Sequence, residues 1–167
     1  MKAYRTLRPG ARICAHGRAR GFTVTELVVT LAVAAVLATV AVPSFNGMIA
    51  TQRARTYASA LYVTLAKARS QALTLNANAT LQPKAGGWQT GWQLLDANNN
   101  VLDDYTAATG INVPGSPATV IYRSSGRLAA GAAPMFQINT TSGSTMSYQC
   151  VSVDLSGRPY MKATPTC

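Results

Sequence analysis

The sequence predicts an α+β protein in which one long N-terminal helix packs on a small antiparallel β-sheet or sandwich. Three observations carry that prediction. Residues 22–42 contain no charge except Glu26; from Ala54 to Leu75 apolar residues recur every three or four positions; beyond Asn76 short apolar runs alternate with Gly, Asn, Ser and Pro. With 167 residues there is room for one ordinary domain besides the apolar segment.

Residues 1–21 read as a basic leader. Lys2, Arg5, Arg8, Arg12, Arg18 and Arg20 are six of the 15 basic residues, so beyond the leader nine basic residues face five acidic ones. The formal net charge falls from +10 to +4. Most of the basicity is therefore a topology signal that holds the N-terminus in the cytoplasm, rather than a face for polyanions.

Residues 22–45 form the apolar half of the helix. At ~1.5 Å per residue, the stretch from 22 to 42 covers roughly the ~30 Å hydrocarbon core of a bilayer, so a transmembrane helix is expected. A secretory signal peptide cleaved near Ala38 or Ala41 is the alternative; the length of the run and the acid near its start oppose it. Glu26 is the anomaly, because a lone acid in a bilayer costs about 2.5–3.5 kcal/mol on insertion scales. It ought to have a partner. Pro43 removes a helical hydrogen bond and is expected to kink the helix without ending it, since the apolar pattern resumes beyond it.

Residues 46–167 are expected to form the exported globular domain. Its helical part should bury Ala54, Tyr57, Ala58, Leu61, Leu65, Ala68, Ala72 and Leu75, leaving Arg53, Arg55, Lys67 and Arg69 on solvated or intersubunit faces, and should end near Asn76. Residues 91–105 read as strand, polar turn, strand, and residues 118–129 as a second hairpin turning at Gly126. "PMFQINT" and "MSYQCVSVDLSGRPYM" supply two or three more strands, with Ser156 and Gly157 in the last turn, whereas "TAATGINVPGSPA" reads as a surface loop. Cys150 and Cys167 are the pair left beyond the leader; in an exported domain they read as one disulfide, two free thiols being the alternative.

Catalysis has little to work with. The only histidine, His16, is in the leader, and Asp96, Asp103, Asp104 and Asp154 are the only acids after Glu26, so no nucleophile, base and orienting group combine. No enzyme, cofactor or metal is expected. Asp96, Asn98 and Asn100 are spaced like the first ligands of a calcium loop, but Val101 stands where that loop needs glycine and Ala107 where it needs a bidentate acid, so a polar hairpin turn is the better reading.

The run from Gly21 and Phe22 to Glu26, the aliphatic stretch, and Pro43 with Ser44 and Phe45 together resemble the type IV pilin and pseudopilin superfamily. "ARSQAL", "GWQLLDANNN", "IYRSSGRL" and "CVSVDLSGRPYMKATPTC" look like its GspH/FimT group of minor pilins. The resemblance implies a type IV pilin-like fold and cleavage after Gly21 by a prepilin peptidase, which methylates the new N-terminus at Phe22. It implies that Glu26 pairs with the terminal ammonium of a neighbouring subunit during assembly. It further implies a FimT/FimU-like minor pilin near the pilus tip that helps initiate assembly. That protein would start in the inner membrane of a Gram-negative bacterium, and its partners would be other pilins or pseudopilins and the inner-membrane assembly platform. A DNA-binding minor pilin for natural transformation and an H-type pseudopilin of type II secretion are the alternatives.

DNA-binding members of the group carry a C-terminal Gly-Arg-x-Arg motif. Here Gly157 and Arg158 match it, but Tyr160 replaces the second arginine. Candidate DNA contacts are therefore Arg158, Tyr160 by stacking, and Lys162, Arg123 and Arg127 on phosphates. The competing reading pairs Arg158 with Asp154 and places Tyr160 as a sheet residue.

Overall fold

The computed structural model describes residues 21–167; the expected leader, apart from Gly21, lies outside the described residues, as do the side chains of Val40 and of residues 42–44. Helix α1 spans Val24–Thr74. It is followed by β1 (Ala79–Lys84), β2 (Gly87–Leu95), β3 (Val101–Thr106), β4 (Ile111–Asn112), β5 (Val120–Tyr122), β6 (Met135–Ser142), β7 (Thr145–Val153) and β8 (Pro159–Lys162). The chain divides into two compact units between Leu37 and Ala38.

In the first unit α1 opens on a threonine N-cap. Thr23 Oγ1 accepts the backbone N–H of Glu26 at 3.2 Å, which places Glu26 in the first turn, where the helix dipole favours a carboxylate. Every described side chain from Phe22 to Thr39 is exposed, Phe22 by 69 % and Val24 by 78 %. Among the described residues no helix is long and apolar enough to cross a membrane. The span expected over 22–45 runs on through Val40 and residues 42–44, whose side chains are outside the described ones. Pro43 does not end the helix.

In the second unit α1 buries the expected face, Ala54, Tyr57, Ala58, Leu61, Leu65, Ala68 and Ala72, together with Ala50. Leu75 departs from it and is 52 % exposed. It follows the last helical residue, where the chain reverses. Asn76 takes a left-handed φ of 47°, its N–H donates to Leu73 O, and the N–H of Ala77 donates to Ala72 O at 3.2 Å. That is a Schellman cap, which takes Leu75 off the helical face.

Two four-stranded antiparallel sheets pack with the helix, ordered β3-β2-β1-β5 and β4-β6-β7-β8. Strand β1 lies where no strand is expected from the sequence. It has only Ala79 and Leu81 buried, too short an alternation to signal a strand, yet it pairs with both β2 and β5. Strand β4 likewise falls inside the expected surface loop, its two residues held by pairing with Asn139 and Thr140 of β6. The hairpin expected over 118–129 is short, β5 closing on an isolated bridge between Tyr122 and Leu128.

An aromatic cluster joins the layers. Tyr57 meets Trp92 edge-on at 5.1 Å, Trp92 stacks on Tyr105 at 4.2 Å, and Trp88 of the first sheet meets Phe136 of the second at 4.8 Å. Each such ring buries enough apolar surface to contribute about 1.5–3 kcal/mol. The Tyr57 hydroxyl donates to Trp88 O at 2.6 Å, so the phenol is buried with its polar end satisfied and its pKa is pushed up by burial. Cys150 on β7 is bonded to Cys167 with Cα atoms 5.4 Å apart, closing the pair as a disulfide. In the loop-entropy account such a loop contributes about 3 kcal/mol by restricting the unfolded chain.

Candidate functional site

Three hairpin turns share one backbone pattern. In each, the N–H of the fourth residue donates to the carbonyl of the first, and the N–H of the first donates to the carbonyl of the fifth. The turns are Asp96 to Asn100, Arg123 to Arg127, and Asp154 to Arg158, and their fourth residues Asn99, Gly126 and Gly157 have φ of 64°, 72° and 86°. These are three-residue loops whose last residue is left-handed, a frequent way to close a hairpin.

The first is the turn with calcium-like spacing. Asp96 Oδ1 accepts the N–H groups of Asn98 and Asn100, each at 2.8 Å, and Oδ2 accepts Asn100 Nδ2 at 2.8 Å. The side-chain amide of Asn100 is the main cause holding the Asp96 carboxyl below its ordinary pKa. Its oxygens serve the turn, so the asparagines act as turn residues.

The other two turns adjoin. A Cβ placed on Gly157 would lie 2.1 Å from Gly126 O, so the backbones meet at a distance only glycine allows. The same carbonyl accepts Arg69 Nε from α1 at 3.1 Å. Arg123, Arg127 and Arg158 are thereby collected at one corner of the fold, and each is exposed. Their sequence separations give no hint of this.

The expected pairing of Arg158 with Asp154 takes a different form. The backbone N–H of Arg158, not its guanidinium, donates to Asp154 Oδ1 at 2.9 Å, and the Ser156 hydroxyl donates to the same oxygen at 2.6 Å. Ser156 first, then that N–H, hold the Asp154 carboxyl below the usual range. Among the described residues the ion pairs are Lys67–Asp103 at 2.9 Å and Lys84–Asp104, and neither uses an arginine.

The stretch from Gly157 to Lys162 then divides between two surfaces. Strand β8 pairs Pro159 with Val153, Tyr160 with Ser152, Met161 with Val151 and Lys162 with Cys150. Alternation puts Tyr160 and Lys162 on the sheet face that carries the disulfide, where Lys162 Nζ lies 5.5 Å from the Tyr160 ring centroid. Arg158 and Pro159 instead line a cleft of about 380 Å³ against α1, opposite Tyr62, Arg69 and Ser70. The sequence places Arg69 on a solvated or intersubunit face; nothing in its spacing marks it further, because the residues it meets, Gly126 by a hydrogen bond and Arg158 across the cleft, are 57 and 89 positions away.

The family model for Type II transport protein GspH matches residues 57–157. Among solved structures, the type IV minor pilin FimU of Pseudomonas aeruginosa (strain PAO1) in space group P21 is similar at a TM-score of 0.58 and 19 % identity, over 70 % of this chain and 96 % of that one. The same pilin in space group P65 gives 0.55 and 20 %, over 68 % and 98 %. No curated protein matches the chain. At this identity the likeness establishes a shared type IV pilin fold.

Proposed function

Because this chain belongs to the GspH family of type II transport proteins, we propose that it is a minor type IV pilin of the FimT/FimU kind, incorporated near the pilus tip, where it helps to initiate assembly. The supporting observation is the contrast within α1. One face of its later turns is buried against the two sheets, while its first turns leave Val24, Leu27, Val28 and Leu31 uncovered, with exposed Phe22 just ahead of them. Apolar surface of this extent requires cover, first from lipid of the inner membrane and then from the helices of neighbouring pilins.

In this reading residues 1–21 are removed by a prepilin peptidase after Gly21, and Phe22 becomes the methylated N-terminus. The assembly platform then draws the subunit from the membrane, with Pro43 and residues 22–45 forming the packing half of the helix. Glu26 pairs with a neighbour's terminal ammonium, each charge relieving the burial of the other. Glu26→Leu and Glu26→Ala are expected to leave membrane insertion intact and to remove the protein from sheared pilus fractions, as read by immunoblot. Normal incorporation of both variants overturns the reading.

Two other readings have specific support. The matched family is named for type II transport, which favours an H-type pseudopilin. Deleting the gene separates the two, since loss of secretion with normal pili identifies the pseudopilin. The adjoining turns with Arg123, Arg127 and Arg158, and the Tyr160–Lys162 pair on β8, favour DNA capture in transformation. A gel shift that fades steeply with salt and weakens in Arg158→Ala and Lys162→Ala supports DNA binding; salt-insensitive retention counts against it.

A further inference from the structure

The cleft between α1 and the start of β8 is lined by two arginines, Arg69 and Arg158, that are 89 positions apart. Arg69 is oriented by its Nε bond to Gly126 O at 3.1 Å, and Arg158 is carried in by a turn locked through Asp154. Ser70 adds a hydroxyl and Tyr62 a phenol to the same walls, and no carboxylate lines them. Asp154 holds the turn through Oδ1, which accepts the Ser156 hydroxyl and the Arg158 backbone N–H, and its charge also reaches Arg158. The lining thus carries two cations and no carboxylate, which suits an anionic ligand.

We infer that this cleft is a docking site for an acidic segment of a neighbouring protein subunit, one of whose carboxylates sits between Arg69 and Arg158. Guanidinium binds carboxylate through paired N–H donors, and a tethered Arg69 loses little freedom on doing so. The remaining walls, Ala66, Leu73 and Pro159, are apolar and accept the methylene stem of a glutamate. The size of about 380 Å³ is at the small end for ligand pockets and suits a side chain or two. A nucleic-acid strand fits less well, since firm phosphate binding needs a long basic track, and Tyr160 lies on the other side of β8 from Pro159.

This inference rests on the assembly reading for the identity of the partner, yet its test does not use assembly. The processed full-length chain in neutral detergent micelles is titrated with fluorescent hexaglutamate, with hexaglutamine and with a six-nucleotide oligothymidylate. Hexaglutamate is expected to bind and hexaglutamine not to. Arg158→Gln should weaken binding at least tenfold while its thermal unfolding stays at the wild-type temperature, and Arg127→Gln should change binding less than twofold. Arg69→Lys, which keeps the charge but loses the fork, should fall between. Absence of hexaglutamate binding overturns the inference, as does equal binding by wild type and Arg158→Gln. Tighter capture of the oligothymidylate through Arg69 and Arg158 also overturns it and makes the cleft a nucleic-acid site. Peptide capture that survives in a Glu26→Leu chain unable to enter pili would separate failure of assembly from failure of the cleft.

Discussion

In the turn from Asp96 to Asn100 the left-handed position is Asn99, and residues 97–100 are exposed; in the turn from Asp154 to Arg158 it is Gly157, buried against the carbonyl of Gly126. The hydrogen bonds that close the two turns agree to within 0.2 Å. What differs is the surroundings. Asparagine tolerates a left-handed φ, so an open turn accepts it, whereas a turn pressed onto another backbone has no room for any Cβ. The glycine at 157 is thus required by tertiary contact as well as by its dihedral angle.

The largest expected effect comes from forcing a Cβ into that contact. Gly157→Ala should destabilise the fold by about 2–4 kcal/mol, combining left-handed strain with a displaced turn, as read by denaturant unfolding. Gly157→Asn is the sharper variant, because asparagine relieves the dihedral strain and leaves the clash. It should cost nearly as much as alanine, and a cost near that of Asn99→Ala would show that the contact between the turns is soft.

In the open turn only the dihedral matters. Asn99→Ala should cost about 1–2 kcal/mol and Asn99→Gly should stay within about 0.5 kcal/mol of wild type. The smallest effect is in pH. The carboxyls of Asp96 and Asp154 are both held below their ordinary pKa, by the Asn100 amide and the Ser156 hydroxyl respectively. A carboxyl lowered in the folded state stabilises fully above its unfolded pKa of about 3.9 and loses that contribution as pH falls through the folded value. Melting curves of wild type and an Asp96→Asn/Asp154→Asn double variant should therefore differ at pH 6 and draw together as pH falls through the lowered folded-state pKa values.

The stretches legible in advance were those with a local period. Seven of the eight residues expected on the buried helical face are buried, because a stripe repeating every three or four positions needs no knowledge of what it packs on. Leu75 fits the stripe and fails, since the cap at Asn76 ends the helix before it. Strands β1 and β4 escaped because two buried residues, or one, make no pattern until a neighbouring strand supplies hydrogen bonds. The candidate residues Arg123, Arg127, Arg158, Tyr160 and Lys162 were nameable singly, but their grouping was not. Arg158, Tyr160 and Lys162 read as one short motif in the sequence, yet Arg158, in the turn ahead of β8, lines the cleft against α1, while Tyr160 and Lys162 lie on the sheet face that carries the disulfide.

From the sequence alone come the long helix with its apolar half and single acid, the switch to an antiparallel sheet, and the two cysteines available to pair. Each follows from composition or from a period shorter than eight residues, which the chain expresses wherever it folds. Tertiary structure alone decided that the Gly126 and Gly157 turns touch, that Arg69 reaches one of them, and that Arg69 and Arg158 face each other across a cleft. Such contacts join residues 31 to 89 positions apart. No local preference records them, because their free energy is set by which surfaces the packed helix and sheets bring within reach.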